Sequence, residues 1–484
     1  MNFTLVFYMI GNVMWCEAAL MLLPMLVSFL TGVNDWSYFL YAIIPLAVLG
    51  RLLNFRKPKV KRMQPREGLA AVALCWVVLA LFGAVPFYVS GYFNSFVDCF
   101  FETVSGFTTT GSTILSNVEG LHNGGLMFWR SFTHWIGGMG VLVFVLTFLP
   151  NMDGSNIQLL RAESPGPTPG KVVPKLKETA RILYLIYFGL TVLHVICLLF
   201  TGMPLYDSLI HSMGSAGTGG FSNMNASVGA YNNPAAEWVI GIFMMLFGVN
   251  FSLYYLLLKK QWKDVWKNGE LRLYMAIILG TVTCITLNIA RVNYDGSWPD
   301  AIRSAFFQVS SIMTTTGYSS ADFNIWPTFS KSILLMLMVV GACAGSTGGG
   351  IKVSRLLVLF KSIKQEFTRL IQPRKVHAAR MDGRILEDGI IKGILIFFAA
   401  YIIIAITAML VISLDGYDME TTISSVLSAL GNIGPGLGAV GPMGNFGGYS
   451  AFSKLVLSFC MLAGRLELFP MLILFVPSTW RKNA

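Results

Sequence analysis

The chain has 484 residues, of which 55% are hydrophobic and only 12% charged, with a formal net charge of +11. Apolar runs of about 20 residues recur from end to end, the length a helix needs to cross a bilayer core of about 30 Å. No stretch is long and polar enough for a separate soluble domain, which excludes a soluble enzyme and a built-in nucleotide-hydrolysing domain.

The basic excess does not point to nucleic acid, because of where it lies. Lys and Arg gather in the connectors Arg51 to Arg66, Arg161 to Arg181, Lys259 to Arg272 and Lys352 to Arg384, and none falls between Leu205 and Trp238. That alternation is the positive-inside pattern, and it predicts that the basic connectors face the cytoplasm. Contact with anionic lipid headgroups or an acidic partner is a minor additional reading. The seven cysteines are scattered and show neither metal spacing nor a disulfide framework.

In chain order, two apolar segments come first, about 3–30 and 37–53, linked through Asn34 and Asp35. The first lacks a basic leader and a small-residue cleavage site, so it reads as a retained span. Four larger units follow, each a long span, a short semi-polar helix, a Thr/Gly/Ser-rich turn and a second span. The expected spans are 69–90 and 125–149, 181–202 and 235–258, 271–293 and 328–358, and 388–414 and 450–476. The corresponding divisions are 1–66 (leading helices and basic linker), 67–160, 161–265, 266–384 (with a broken inner helix) and 385–484. Ten spans place both termini on the cytoplasmic side. The expected fold class is an all-α polytopic membrane protein, with two leading transmembrane helices and four span–pore-loop–span repeats around a pseudo-fourfold pore.

The repeat is the most informative feature. The first copy runs from Phe101 through Thr108, Thr109, Thr110, Gly111 and Ser112 to Thr113. The third matches it, from Phe307 through Thr314, Thr315, Thr316, Gly317 and Tyr318 to Ser319. The second (His211 through Thr218, Gly219, Gly220 and Phe221 to Ser222) and the fourth (Ser428 through Gly431, Asn432, Ile433, Gly434 and Pro435 to Gly438) diverge in side chain. Both keep the preceding helix and the central glycine.

The short helices cannot cross a bilayer. The Thr/Gly segments after them cannot sit in lipid, where their backbone groups would lack partners; at membrane depth they must be buried in protein or line a water-filled cavity. Four such segments have one economical solution, convergence on a shared axis with carbonyls turned inward. Carbonyl oxygens can then replace the hydration shell of K⁺. Glycine permits the positive φ angles this needs, and Thr hydroxyls add oxygens. The candidate ion-binding residues are Thr109, Thr110, Gly111, Ser112, Thr218, Gly219, Gly220, Phe221, Thr315, Thr316, Gly317, Tyr318, Asn432, Ile433, Gly434 and Pro435. The acids near the helix starts (Asp98, Asp207, Asp300, Asp418 and Glu420) are read first as helix caps.

These segments resemble the Trk/Ktr/HKT superfamily of potassium transporters, whose single chain holds four linked span–pore-loop–span units. The resemblance covers essentially the whole chain, and the two leading spans make it similar to the larger rather than the shorter membrane subunits. It implies potassium uptake across a bacterial cytoplasmic membrane, with K⁺ as transported ion and no covalent cofactor. It also implies a homodimer with one pore per protomer and a cytosolic nucleotide-binding regulatory ring of the TrkA type.

Two further features lie beneath the expected filter. Gly341 to Lys352 resembles a phosphate loop in composition only: Lys352 is not adjacent to the final Gly, no Ser or Thr directly follows it, and the segment lies in an apolar span. Its glycines, each costing about 1 kcal/mol relative to Ala in a helix, predict a break. Gly345, Ser346, Thr347, Gly348, Gly349 and Gly350 are therefore the gate candidates, with a small-residue packing face as the alternative. Arg465, midway along the last span, is expected to face the water-filled interior and to form part of the barrier, as the resemblance also implies. Glu467 should point away from Arg465 and pair with another helix or a second protomer. Arg130 and His134, four apart, are expected to brace the filter; Asn250 to hydrogen-bond between helices; Trp129 and Trp238 to sit at the membrane interface. A sodium-coupled or weakly selective monovalent cation transporter on the same scaffold is the nearer rival, and a membrane-embedded enzyme the more distant one. The five histidines and the acids form no convincing catalytic set.

Overall fold

The computed structural model describes residues 1–55, 58, 64–140, 176–372, 380–382, 384–386 and 388–481. The end of the expected 125–149 span, most of the connector from Arg161 to Arg181 and parts of those from Arg51 to Arg66 and from Lys352 to Arg384 lie outside them. The described residues are almost entirely helical. A hairpin of two-residue strands pairs Arg380–Met381 with Arg384–Ile385.

Six helical stretches among the described residues are long and apolar enough to cross a membrane: Phe3–Thr31, Trp36–Asn54, Pro65–Ser90, Ala180–Phe200, Gly269–Ile289 and Asp388–Asp415. Their outward faces carry large apolar side chains such as Leu30, Leu52, Leu185, Leu287 and Leu410. An aqueous protein would aggregate through such a surface; lipid tolerates it. The chain is a multi-span membrane protein.

Local sequence sets the helix starts. Pro65 occupies the first turn of Pro65–Gly83, and Gln64 and Glu67 form a reciprocal capping box there. Asn268 accepts the Leu271 N–H at the start of Gly269–Ile289. Ser95 caps the short helix Phe96–Phe107, and Asp418 caps Met419–Gly431.

The expected second spans of the units depart from continuous helices. The first, Gly125–Gly138, ends after 14 described residues. The second is Pro234–Phe247 followed by Phe251–Leu258, bent by 92°. The third is Thr328–Val339, an irregular loop, then Val353–Ile371. The fourth is Ala451–Arg465, then the single turn Phe469–Leu472.

Each break has a local cause. Gly248 ends one helix, and the Asn250 side chain caps the next by accepting the Ser252 N–H, which is its role instead of an interhelical bond. Gly345 and Gly350 take positive φ in the third. Glu467 and Leu468 do so in the fourth, at φ 59° and 65°.

Adjacent units are tied by charges that recur in one direction. Glu237, in the first turn of the second inner helix, pairs at 2.9 Å with Arg303 on the third short helix. Lys331, in the third, pairs at 2.9 Å with Glu420 on the fourth short helix. Lys454, in the fourth, reaches Asp98 on the first short helix at 2.6 Å, closing the circuit in a buried site. Each of these three is the fourth residue of its helix. In the first unit that position is Phe128, and Tyr206 instead donates to the Gly124 carbonyl at 2.7 Å. Asp98 is thus an ion-pair partner rather than a cap.

Candidate ion-conduction site

Four short helices, Phe96–Phe107, Leu205–Gly217, Trp298–Met313 and Met419–Gly431, end in the same backbone motif. Just beyond each C-terminus a residue takes the left-handed conformation: Thr109 at φ 55°, Thr218 at 56°, Thr315 at 58° and Asn432 at 54°. The next N–H in each reaches back five residues to a helix carbonyl. These bonds are Thr110 to Ser105 (2.9 Å), Gly219 to Gly214 (2.8 Å), Thr316 to Ser311 (2.8 Å) and Ile433 to Ser428 (3.0 Å). This is the Schellman termination, normally built on glycine. Holding a side-chain-bearing residue there costs about 1–2 kcal/mol. One residue further on comes the glycine, again at positive φ: Gly111 at 82°, Gly220 at 77°, Gly317 at 87° and Gly434 at 107°. The divergent second and fourth copies therefore have the backbone of the first and third.

The four segments also meet in cyclic order. A Cβ on Gly111 would stand 1.9 Å from the Gly219 carbonyl oxygen, and one on Gly220 2.1 Å from that of Thr316. A Cβ on Gly317 would stand 1.9 Å from the Ile433 oxygen, and one on Gly434 2.8 Å from that of Thr110. Each glycine thus faces the carbonyl preceding the next unit's glycine, and the fourth returns to the first. All four segments line one cavity, through Gly111 and Ser112, Gly220 and Phe221, Gly317, and Gly434 and Pro435. Among the described residues, Thr109 Oγ1 and Asn432 Oδ1 are buried without a hydrogen-bond partner.

Side chains behind the segments hold them rigid. His134 Nδ1 contacts the Gly106 carbonyl at 2.7 Å, and its Nε2 accepts the Phe221 N–H at 3.3 Å. Arg130 stacks 3.6 Å over the Phe221 ring and donates to the Ser222 carbonyl at 2.9 Å. Its charge is met by Glu102 at 2.7 Å, and both are buried. Glu102 also accepts from Thr113 Oγ1 (2.9 Å) and the Ile114 N–H (3.0 Å). Tyr318 Oη donates to the Phe221 carbonyl at 3.2 Å, joining the third segment to the second. Asn432 Nδ2 donates to Thr110 Oγ1 (3.0 Å) and the Met461 carbonyl (2.9 Å), joining the fourth to the first. Trp129 is buried and donates to the Gly83 carbonyl at 3.1 Å, so it is a packing residue and no interfacial anchor.

Beneath the segments lies the loop between Val339 and Val353. A parallel bridge between Val340 and Ile351 closes its neck. The Gly349 N–H donates to Thr315 Oγ1 at 2.6 Å, and Thr347 Oγ1 donates to the Phe247 carbonyl at 3.3 Å. The Phe251 N–H takes the Gly345 carbonyl and the Cys343 N–H that of Gly248, both at 3.0 Å. The loop thus fills the break in the second inner helix. Arg465 reaches it from the fourth: its guanidinium donates to the Thr347 carbonyl at 2.7 Å and to those of Gly137 and Gly138, the latter at 2.8 Å. Arg465 therefore links the loop to the first inner helix. Glu467 pairs with Arg355, just after the loop.

Sequence reasoning passed over three groups here. Glu270 accepts the Ala344 N–H at 2.6 Å and the Ser354 N–H at 2.9 Å, clamping both ends of the loop. Lys352 turns back onto the loop's own carbonyls. Glu102 is the third. Their sequence signal is an isolated charge beside or within an apolar run.

A family model described as a cation transport protein, TrkH, matches residues 35–482. The chain belongs to the TrkH family. Its members are transporters, not enzymes. The Trk system potassium uptake protein TrkH of Salmonella typhimurium is 37% identical over 486 residues, with both chains fully covered. The Trk system potassium uptake protein TrkG of Escherichia coli is 32% identical over 478 residues, covering 98% of each chain. The crystal structure of the potassium transporter TrkH from Vibrio parahaemolyticus superposes with a TM-score of 0.88 at 31% identity, covering 99% of this chain and all of the other.

Proposed function

We propose that the protein carries potassium into the cell across the cytoplasmic membrane, through a pseudo-fourfold filter made by Thr109–Ser112, Thr218–Phe221, Thr315–Tyr318 and Asn432–Pro435. The observation that carries this reading is the closed ring of glycine-to-carbonyl contacts, with the same left-handed pair of residues in all four segments. Such a backbone turns successive carbonyls toward one axis, where they can replace the water shell of a weakly hydrated monovalent cation. The short helices direct their partially negative C-termini at the same place.

The Gly345–Gly350 loop and Arg465 are the gate in this proposal. Their support is position: the loop bonds to Thr315 above it and to Arg465 beside it. Opening then requires the loop to leave Arg465, Gly248 and Glu270. Helix Val353–Ile371, which continues the loop, is the natural lever. Assembly as a homodimer under a cytosolic nucleotide-binding ring, with both termini in the cytoplasm, rests on family membership and on the placement of the basic connectors.

Rubidium uptake into proteoliposomes tests the function. Potassium should compete with rubidium, sodium should compete weakly and lithium hardly at all. Equal competition by potassium, sodium and lithium would make the protein a non-selective cation pathway.

A further inference from the structure

We infer that the carbonyls of Gly348 and Gly349 form an alkali-cation site just beneath the filter segments, and that in this structure the Lys352 ammonium occupies it. The inference rests on reading the four segments as a cation pathway.

Lys352 is only 2% exposed. A buried ammonium is costly unless its donors find partners. It donates to the Gly348 carbonyl and, at 3.2 Å, to the Gly349 carbonyl, bending back onto the loop that carries it. Among the described residues it enters no ion pair. The two nearby carboxylates are engaged elsewhere: Glu270 with the N–H groups of Ala344 and Ser354, Glu467 with Arg355. Carbonyl dipoles thus hold the charge directly, which is how a filter holds a desolvated alkali ion. A primary ammonium and a bare potassium ion carry the same charge and are similar in size.

The site lies next on the ion's path. The Gly349 N–H bonds to Thr315 Oγ1 at 2.6 Å. A Cβ on Gly348 would stand 3.0 Å from the Thr314 carbonyl oxygen, and one on Gly349 2.5 Å from that of Gly431. The loop therefore touches the starts of the third and fourth segments. An ion leaving them meets carbonyls already taken by a tethered cation. Lys352, Arg355 and Arg465 outnumber Glu270 and Glu467 there, so the neighbourhood is net positive and repels it further.

Lys352 is also the residue at the head of helix Val353–Ile371. A shift of that helix withdraws the ammonium, and the same motion frees the two carbonyls for the permeating ion. Block and binding site are then alternative states of one cage, so the loop needs no separate plug.

Thallium(I), a potassium surrogate with strong anomalous scattering, tests this in crystals of the full chain. Wild type should show thallium along the four segments and none at the loop. Lys352→Met should add a peak between the Gly348 and Gly349 oxygens, and in proteoliposomes it should raise basal rubidium flux about tenfold by favouring the open state. Lys352→Gln, in case the Met variant folds poorly, should do the same. Lys352→Arg, which keeps a tethered cation, should show no loop peak. Segment peaks without a loop peak in both neutral variants, or unchanged basal flux, would overturn the inference. Loss of thallium from the segments in every protein would instead overturn the pore reading beneath it.

Discussion

Glu102 and Arg130 show how a membrane-buried charge can serve a backbone. Glu102 fixes the exit of the first segment, and Arg130, which also lines the cavity, that of the second. Breaking a buried pair from one side leaves an uncompensated charge and costs about 3–5 kcal/mol. Arg130→Ala should therefore lower thermal stability in detergent by that amount. Arg130→Met combined with Glu102→Gln should recover much of it. If the single variant melts with wild type, the pair is not structural. At this scale the sequence was legible in part. Arg130 and His134 stand out because they are polar, four apart and in an apolar helix. Glu102 did not, because an acid in a semi-polar helix resembles an ordinary surface residue until the fold places Arg130 beside it.

The element that departs most from its sequence pattern is the inner helix. Hydropathy over 235–258, 328–358 and 450–476 reads as unbroken span, since apolar composition does not record backbone direction. The structure interrupts all three. Only the third break was legible, because five glycines within ten residues cannot sustain a helix (Gly341, Gly345, Gly348, Gly349 and Gly350). The second turns on Gly248 and Asn250, and the fourth on Glu467 and Leu468, which carry no such signal. The third unit's loop contacts both other breaks: it packs into the second's gap at Gly248 and Phe251 and accepts Arg465 from the fourth at the Thr347 carbonyl. Arg465→Gln removes the charge while keeping some donors to Thr347 and Gly138. The expected result is a basal rubidium flux in proteoliposomes about tenfold above wild type, with the preference for potassium retained. A rise in flux with loss of preference would move Arg465 from the gate to the filter.

For the whole molecule, the recurring ion pairs act as staples around a ring. They share a helix position but differ in burial, so they should differ in worth. Lys454 and Asp98 are each 9% exposed in their side chains, whereas Lys331 and Glu420 are 22% and 41% exposed. Lys331→Ala should cost no more than about 1 kcal/mol. Lys454→Ala should cost about 3–5 kcal/mol, because Asp98 is left buried and alone. Thermal unfolding of the two variants in one detergent checks the order, and an equal loss would refute the staple account. The repeat was readable in the sequence, and the proposed ring follows from it, because four short helices followed by glycine segments at membrane depth have few other places to go. Its uniformity was not. The second and fourth copies look degenerate in side chain, and that suggests poorly formed strands. The structure gives them the same left-handed pair as the others: Asn432 is of a type that takes positive φ readily, whereas Thr218, like Thr109 and Thr315, is held there against its β-branched preference.

That equivalence is the central claim, and substitution of the four glycines tests it most directly. Gly220→Ser and Gly434→Ser should each reduce the rubidium-over-lithium preference in proteoliposomes as severely as Gly111→Ser and Gly317→Ser, about tenfold or more, since each puts a side chain where backbone turns left-handed against a neighbouring carbonyl. Full preference in Gly220→Ser and Gly434→Ser, beside its loss in the other two, would mean that only the first and third segments select the ion.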